Sequence, residues 1–164
     1  MNIEVLAASP GDKPVLRELL NLYLYDLSDL PGAGDLNEEG RYEYRYLDRY
    51  WMEADRHAFL VRAEGAVAGF SLVNTQTHST ARWCIAEFFV ARRHRRRGVG
   101  TVAAHATFTQ LPGEWEVWTD RDNIRAHDFW RHAVSSFARG SFREIANGHG
   151  GGPTFLFESK GERP

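Results

Sequence analysis

The sequence is poor in the residues that would support a disulfide or a metal centre. Cys84 is the only cysteine among 164 residues, which excludes an intramolecular disulfide and any cysteine-based zinc site. The histidines include no pair at i and i+4 with an acidic third ligand. We therefore expect no metal.

Long apolar runs and a strong charge of one sign are also absent. No uninterrupted apolar stretch approaches the ~18 residues that a membrane span needs, and Met1 to Glu4 lack the character of a signal peptide. The formal net charge of −2 and the pI near 6.4 argue against a chain that binds nucleic acid or an anionic membrane over its whole surface. We expect a cytoplasmic protein with neither partner.

The size and composition fit one globular domain. With 43% apolar and 26% charged residues, a chain of 164 residues can bury an ordinary core. The sequence shows no repeat, low-complexity tract or linker that would divide it. It therefore predicts a single domain over residues 1–164, and it leaves monomer and homodimer open.

Apolar periodicity predicts an α/β protein. Apolar runs bounded by turn residues predict strands at 3–7, 58–63, 67–74, 82–90, 115–119, 141–145 and 154–158. Helical spacing predicts helices at 14–27, 36–53 and 98–110, and a further helix capped by Asp122 or Asn123. The second helix depends on Tyr42, Tyr46 and Tyr50, which lie at i, i+4 and i+8. A helix separates strands 82–90 and 115–119, so we expect these two to be parallel.

A basic, glycine-containing loop follows the strand that ends at Val90. The run Arg92 to Arg97 leads into Gly98 and Gly100 at the start of an alanine-rich helix. Glycines allow a ligand to approach the backbone closely, and a helix N-terminus offers free N–H groups and a partial positive charge. The flanking arginines favour the same ligand. The loop therefore predicts a site for a di- or polyphosphate anion.

This segment resembles the acyl-CoA-binding motif of the GNAT superfamily of N-acyltransferases. In that family Arg or Gln, two variable residues, Gly, one variable residue and Gly or Ala follow a strand ending in Val. Arg95, Gly98 and Gly100 match this pattern after Val90. A second match is the N-x-x-A helix, represented here by Asn123 and Ala126. The element order also agrees over nearly the full length.

The resemblance implies a fold and a set of cofactor-binding residues. The fold would be a mixed, mostly antiparallel central sheet with flanking helices and one splayed parallel strand pair, and acetyl-CoA would be the co-substrate. Backbone groups of Phe88, Phe89 and Val90 would bind pantetheine, and Asn123 would reach the pantetheine arm. The pyrophosphate would be held by the loop residues Arg95, Arg96, Arg97, Gly98, Val99 and Gly100.

Two positions depart from the family pattern. Arg96 stands where many members have glycine. Trp130 stands where many members carry a tyrosine thought to protonate the departing thiolate, and an indole N–H is not a usable acid. If the chain is an enzyme, another acid, water or unassisted thiolate departure must take over that role.

Glu87 is the candidate general base. It precedes Val90 by three residues, in a position that is often acidic in GNAT proteins, and it would deprotonate the incoming amine directly or through water. The alternative is a surface carboxylate paired with one of the arginines. The acceptor side could involve the tyrosines, all of which lie between Tyr23 and Tyr50 among acidic residues, or they could belong only to amphipathic helices. His78 is a weaker acceptor-side candidate.

Other interpretations of the basic loop stay open. Gly98, Gly100 and Ala103 also fit the dinucleotide pattern G-x-G-x-x-A, although seven residues separate Gly98 from the preceding strand. The arginines could instead form a nuclear-localisation or nucleic-acid segment, or an uncommitted surface loop.

Two functions follow from the acyl-CoA interpretation. The first is an N-acetyltransferase that moves an acetyl group from acetyl-CoA to a small-molecule or peptide amine by direct transfer in a ternary complex. The second is an acyl-CoA-binding sensor or regulatory module without turnover, an alternative that Trp130 keeps open.

Overall fold

Ten main elements build the fold in the computed structural model, which describes residues 1–161. In chain order they are β1 (Ile3–Ala7), α1 (Lys13–Leu27), β2 (His57–Ala63), β3 (Ala66–Asn74), β4 (Trp83–Val90), α2 (Val99–Gln110), β5 (Gly113–Asp120), α3 (Ile124–Phe137), β6 (Phe142–Ile145) and β7 (Gly151–Ser159). Short 3-10 turns cover Pro10–Asp12, Leu47–Trp51 and Arg92–His94. Residues 162–164, included in the predicted domain, lie outside the described part.

The strands form one seven-stranded mixed sheet in the order β1-β2-β3-β4-β5-β7-β6. Neighbouring strands are antiparallel except β4 and β5, which are parallel. Their ladder contains only two residue pairs, Trp83 with Trp115 and Cys84 with Glu116. Beyond Cys84 the two strands separate, and an opening forms in the middle of the sheet. The predicted fold class, with its parallel splayed pair, is confirmed.

Apolar side chains cover both faces of this sheet. On one face α1 packs through Leu16, Leu19 and Leu20 against β2, β3 and β4, and all three leucines are buried. On the other face α2 and α3 enclose an aromatic core around Phe108, Trp115, Trp130, Phe155 and Phe157. Burial of each side chain of this size contributes about 1.5 to 3 kcal/mol to the free energy of folding. The packing on both faces therefore stabilises the sheet where β4 and β5 separate.

A β-bulge at Ala86 shifts the side-chain alternation of β4. Leu72 of β3 pairs with Glu87, but the next residue, Val73, pairs with Ile85, so Ala86 has no partner. Ile85 belongs to the core under α2 and α3, whereas Ala86 packs on the α1 side. If the strand were regular at Ala86, Glu87 would share the face of Ile85, because side chains alternate with a period of two. The bulge therefore turns Glu87 toward α1.

The predicted helix at 36–53 is wrong. The chain is irregular from residue 28 to 46, and only Leu47–Trp51 forms a short 3-10 turn. The Asn37 side chain accepts hydrogen bonds from the N–H groups of Glu39 and Arg41, and Gly40 has a φ of 74°, so a local turn replaces the helix. The spaced tyrosines consequently do not share a face: Tyr50 is buried and Tyr46 is exposed.

The other predicted elements are present with small shifts at their ends. Asn123, one of the two predicted caps, begins α3 by accepting a hydrogen bond from the Ala126 N–H at 3.3 Å. No helix within residues 1–161 is both long enough and apolar enough to cross a membrane.

The close approach of β3 and β4 at Gly69 generates a prediction. A Cβ at this position would lie 2.0 Å from the Phe89 carbonyl oxygen, so the strands would have to move apart. We expect Gly69→Ala to lower the free energy of unfolding by about 2 to 4 kcal/mol, measured by urea denaturation. Gly34→Ala is the control, since a Cβ there has no atom within 4 Å. An unchanged urea midpoint in Gly69→Ala would contradict the described packing.

Candidate active site

The opening beside β4 is lined by backbone groups of alternate residues. The Ala91 N–H donates to the Ala68 carbonyl, and the Phe89 carbonyl approaches Gly69. The backbone polar groups of Phe89 and Ala91 therefore face β3. Because successive residues of a strand direct their N–H and C=O groups to opposite edges, those of Phe88 and Val90 face the opening. The backbone groups of Phe89 therefore face β3, and the binding of pantetheine by Phe88 and Val90 stays a prediction.

The loop after β4 presents free N–H groups. Arg96 has a left-handed φ of 60°, and Gly98 one of 80°, at the start of α2. Among residues 1–161, no hydrogen bond is formed by the backbone N–H groups of Arg96, Arg97 or Gly98, and the first N–H groups of α2 have no partner within the helix. This combination suits an anion. The dinucleotide interpretation does not fit, because the sheet is mostly antiparallel and a 3-10 turn precedes Gly98.

The two loop glycines have different structural roles. A Cβ at Gly98 would project into open space, so its positive φ is what favours glycine there. A Cβ at Gly100 would lie 3.0 Å from the Phe129 ring, which packs against the first turn of α2. Gly98 therefore shapes the exposed loop, while Gly100 lets α3 approach α2.

Arg95 is bound inside the protein. Its guanidinium pairs with Asp26 near the end of α1, and its Nε donates to the Val90 carbonyl at 2.6 Å. Arg92 pairs with the same carboxylate at 2.8 Å. Burial raises the pKa of Asp26, but the two guanidinium groups outweigh that effect and hold it below its ordinary value. The Arg95 side chain thus fixes the loop, and exposed Arg96 and Arg97 extend into solvent.

Glu87 lies in an aromatic pocket on the α1 side of β4. Tyr23 of α1 donates a hydrogen bond to its Oε2 at 2.7 Å. Within residues 1–161 no ion pair joins Glu87 to an arginine; Arg92 and Arg95 pair with Asp26 instead. The alternative of a surface carboxylate paired with an arginine is therefore wrong.

Burial dominates the electrostatics of this pocket. It raises the pKa of Glu87 to about 7, although the hydroxyls of Tyr23 and Tyr44 act in the opposite direction. Burial also raises the pKa of Tyr50 to about 12, and it raises those of Tyr23 and Tyr44, each with a further contribution from Glu87. A carboxyl that titrates near neutral pH beside an opening can exchange protons with a substrate.

Trp130 belongs to α3, and Asn123 caps that helix. The Asn123 carbonyl oxygen caps α3, which leaves its amide nitrogen for a ligand. Trp130 is 6% exposed and packs edge-on against Phe88 and Phe129 with ring centroids 5.0 and 4.8 Å apart. Trp130 is therefore a core aromatic side chain, and Cys84 is buried as well.

His78 lies between β3 and β4, in a separate cluster with Glu116 and Trp118 of β5. Its backbone N–H donates to Oε1 of Glu116 at 2.9 Å, and its ring stacks on His149 at a centroid distance of 3.4 Å. Trp118 contacts both imidazoles edge-on. Glu116 is 1% exposed, so the contact fixes the loop that carries His78. No three His, Cys, Asp or Glu side chains of the described chain are arranged to hold a metal ion.

Asp26 and Glu116 are the residues that sequence patterns did not reveal. Both act on loops far away in the chain: Asp26 holds arginines at least 66 positions later, and Glu116 holds His78 from 38 positions later. No local spacing signals such contacts. Tyr23 and Tyr44 belonged to the predicted group of tyrosines, but nothing in the sequence distinguished them from their neighbours.

Solved structures of acetyltransferases share this fold. An acetyltransferase from Thermus thermophilus superimposes with a TM-score of 0.71 at 19% identity, covering 96% of this chain and 97% of its own. The PaiA N-acetyltransferase from Thermoplasma acidophilum, in complex with coenzyme A, gives 0.61 at 12% identity, with 96% and 99% covered. An aminoglycoside acetyltransferase from an uncultured soil metagenomic sample, in complex with sisomicin, gives 0.56 at 17% identity, with 80% and 86% covered.

Sequence comparison gives a family but no individual relative. No curated protein matches the chain significantly. The sequence profile of the Acetyltransferase (GNAT) family, however, matches residues 17–133, which include most of α1, the loop with Gly98 and most of α3. On this match, supported by the shared fold, the chain belongs to the GNAT family of acetyltransferases.

Proposed function

We propose that this protein is an N-acetyltransferase that moves an acetyl group from acetyl-CoA directly to an amine in a ternary complex. The observation that carries the proposal is the position of Glu87. Its carboxyl, with a pKa of about 7, lies on the bulged strand that borders the opening and contains Phe88 and Val90. A base and a cofactor groove thus share one strand.

The loop after β4 would hold the pyrophosphate of acetyl-CoA. The free N–H groups of Arg96, Arg97 and Gly98 and the start of α2 supply donors, and the exposed arginines supply charge. Pantetheine would then extend along the opening, where Phe88 and Val90 offer backbone groups and Asn123 offers its amide. Arg95 contributes by fixing the loop on Asp26.

Glu87 would remove a proton from the acceptor. An ordinary alkylammonium has a pKa of about 10.4, so at neutral pH it must be deprotonated before its nitrogen can attack a thioester. Ionised Glu87 accepts that proton directly or through one water, and a pKa near 7 places it in the range where a general base is most effective.

The bond changes then balance without a covalent enzyme intermediate. The amine nitrogen forms a bond to the acetyl carbon, and the carbon–sulfur bond breaks. The ammonium loses two protons on the way to an amide: the first goes to Glu87, and the second passes from the nitrogen to solvent water, which also supplies the proton that the thiolate takes up. A backbone N–H that faces the opening, that of Phe88 or Val90, would stabilise the oxyanion, a kind of donor worth about 3 kcal/mol in other enzymes. Thiols have a pKa of about 8.5, so the thiolate can leave and take its proton from water without Trp130.

The acceptor would approach from the α1 side, where Glu87 faces tyrosines. Aromatic faces and a carboxylate suit a positively charged amine. The fold is shared with an aminoglycoside acetyltransferase seen with sisomicin, which supports a small-molecule amine as the acceptor.

Gly98 tests the phosphate loop. We expect Gly98→Val to abolish the thermal stabilisation that CoA gives the wild-type protein, because a branched side chain would disturb the left-handed turn and cover the N–H groups. Gly140→Val is a matched control, since Gly140 has a similar φ of 82° and equally open surroundings after α3. Retained stabilisation by CoA in Gly98→Val would remove the assignment.

Trp130→Phe tests whether the indole takes part in the chemistry. We expect the variant to lose about 1 to 3 kcal/mol of unfolding free energy through poorer packing, but to keep at least about a tenth of wild-type turnover. Thermal melting and release of free thiol measure the two effects. A folded variant that binds CoA normally but has no turnover would show a chemical role for Trp130.

Glu87→Gln tests the general base. The wild-type rate should fall as the pH drops through about 7, because protonation removes the base. In the variant, kcat should be lower by ~10² to 10⁴ with little change in acetyl-CoA affinity, and this acidic limb should disappear. The measurement is kcat against pH over a panel of amines.

Two other outcomes would count against the proposal. Turnover of Glu87→Gln close to that of the wild type would exclude Glu87 as the base and direct attention to His78 or a water chain. CoA binding without turnover of any amine by the wild-type protein would favour the sensor function.

A further inference from the structure

One tyrosine hydroxyl is held against the Glu87 carboxyl. Tyr23 comes from α1 and donates to Oε2 at 2.7 Å. Its ring is fixed edge-on between Phe70 and Phe89, with centroids 5.7 and 6.2 Å away. A hydroxyl held so rigidly gives its hydrogen bond a fixed direction.

Tyr44 comes from the irregular segment that follows α1. The Tyr42 N–H donates to the Asn21 side chain at 2.9 Å, which fastens this segment to α1. Tyr44 packs against the leucine-rich core on the α1 side, and its hydroxyl lowers the pKa of Glu87 together with that of Tyr23. The hydrogen bond to the carboxyl at 2.7 Å comes from Tyr23, so Tyr23 is the residue that can fix the direction of the carboxyl.

These hydroxyls oppose the effect of burial. A buried carboxylate without donors would be protonated over most of the neutral range, whereas a donor to the ionised form stabilises it. The titratable groups near Glu87 are Tyr23 on α1, Tyr44 and Tyr50 in the segment before β2, and Cys84 on β4. Burial raises the pKa of each of the four, so near pH 7 none of them carries a charge.

We propose that Tyr23 is a positioning residue, which orients the Glu87 carboxylate toward the acceptor through its hydrogen bond. This inference rests on the proposed function, in which Glu87 is the base. Tyr23 does not need to touch the reacting atoms. Loss of its hydroxyl raises the pH at which the carboxylate forms and leaves acetyl-CoA binding unaffected.

The experiment compares two matched variants. Tyr23→Phe removes the hydroxyl but keeps the ring. Tyr25→Phe makes the same change two residues away, at a side chain that is 62% exposed. Thermal stabilisation by CoA in both variants verifies that they are folded.

Two measurements are made on each protein. The first is the titration of the Glu87 carboxyl by NMR of carbon-13-labelled glutamate, with Glu87→Gln identifying the signal. The second is kcat against pH. In Tyr23→Phe we expect the titration midpoint and the acidic limb to move up by about one pH unit, so that kcat at pH 6.5 falls about tenfold and recovers by pH 9. The KM of Tyr23→Phe for acetyl-CoA should equal that of the wild type, and Tyr25→Phe should match the wild type in both measurements.

The outcomes separate this inference from the proposed function. An unchanged Glu87 titration in Tyr23→Phe overturns the positioning role, whatever the activity. A titration that moves without any change in the rate profile supports the contact of Tyr23 with the carboxylate and overturns Glu87 as the base. An equal shift in Tyr25→Phe would show that the effect is not specific to the Tyr23 hydroxyl and would also overturn the inference.

Discussion

The extra residue in β4 is the constraint on which the candidate site depends. Because Ala86 is unpaired, Glu87 faces α1 instead of the aromatic core under α2 and α3. A carboxylate directed into that core would be surrounded by Phe108, Trp115 and Trp130, where nothing could compensate its charge. On the α1 side it meets tyrosine hydroxyls. The unpaired residue thus allows Glu87 to act as a base, whereas a regular strand would bury its charge without a partner.

The separation of β4 from β5 is the second requirement. Their ladder ends at Cys84 and Glu116, after which the backbone groups of Phe88 and the N–H of Val90 lack a neighbouring strand, while the Val90 carbonyl accepts from Arg95. Unpaired backbone groups inside a protein are costly unless something binds them. A ligand with its own amide groups, such as pantetheine, would satisfy them. The same gap that weakens the sheet therefore provides a reason for binding.

Much of this arrangement could be predicted from the sequence because it depends on local patterns. Apolar alternation located the strands, and Gly98 with its arginines marked the loop. The helix predicted at 36–53 failed because apolar spacing carries no information on whether Asn37 will bond to its own backbone. Tyr44 lies in that segment, so its packing on the α1 side of the sheet could not be derived. The pairing of Arg95 with Asp26 was not predicted for a related reason, because it is a tertiary contact between residues 69 positions apart.

Helix α1 carries both Tyr23 and Asp26, and this has a consequence for insertions and deletions. The two residues are three positions apart, so they project from one side of the helix, Tyr23 to the candidate base and Asp26 to the phosphate loop. One residue added or removed between them would rotate one side chain by about 100° relative to the other. Point substitutions elsewhere on α1 leave that geometry intact. The length of this short stretch is thus more tightly constrained than the identity of its exposed residues.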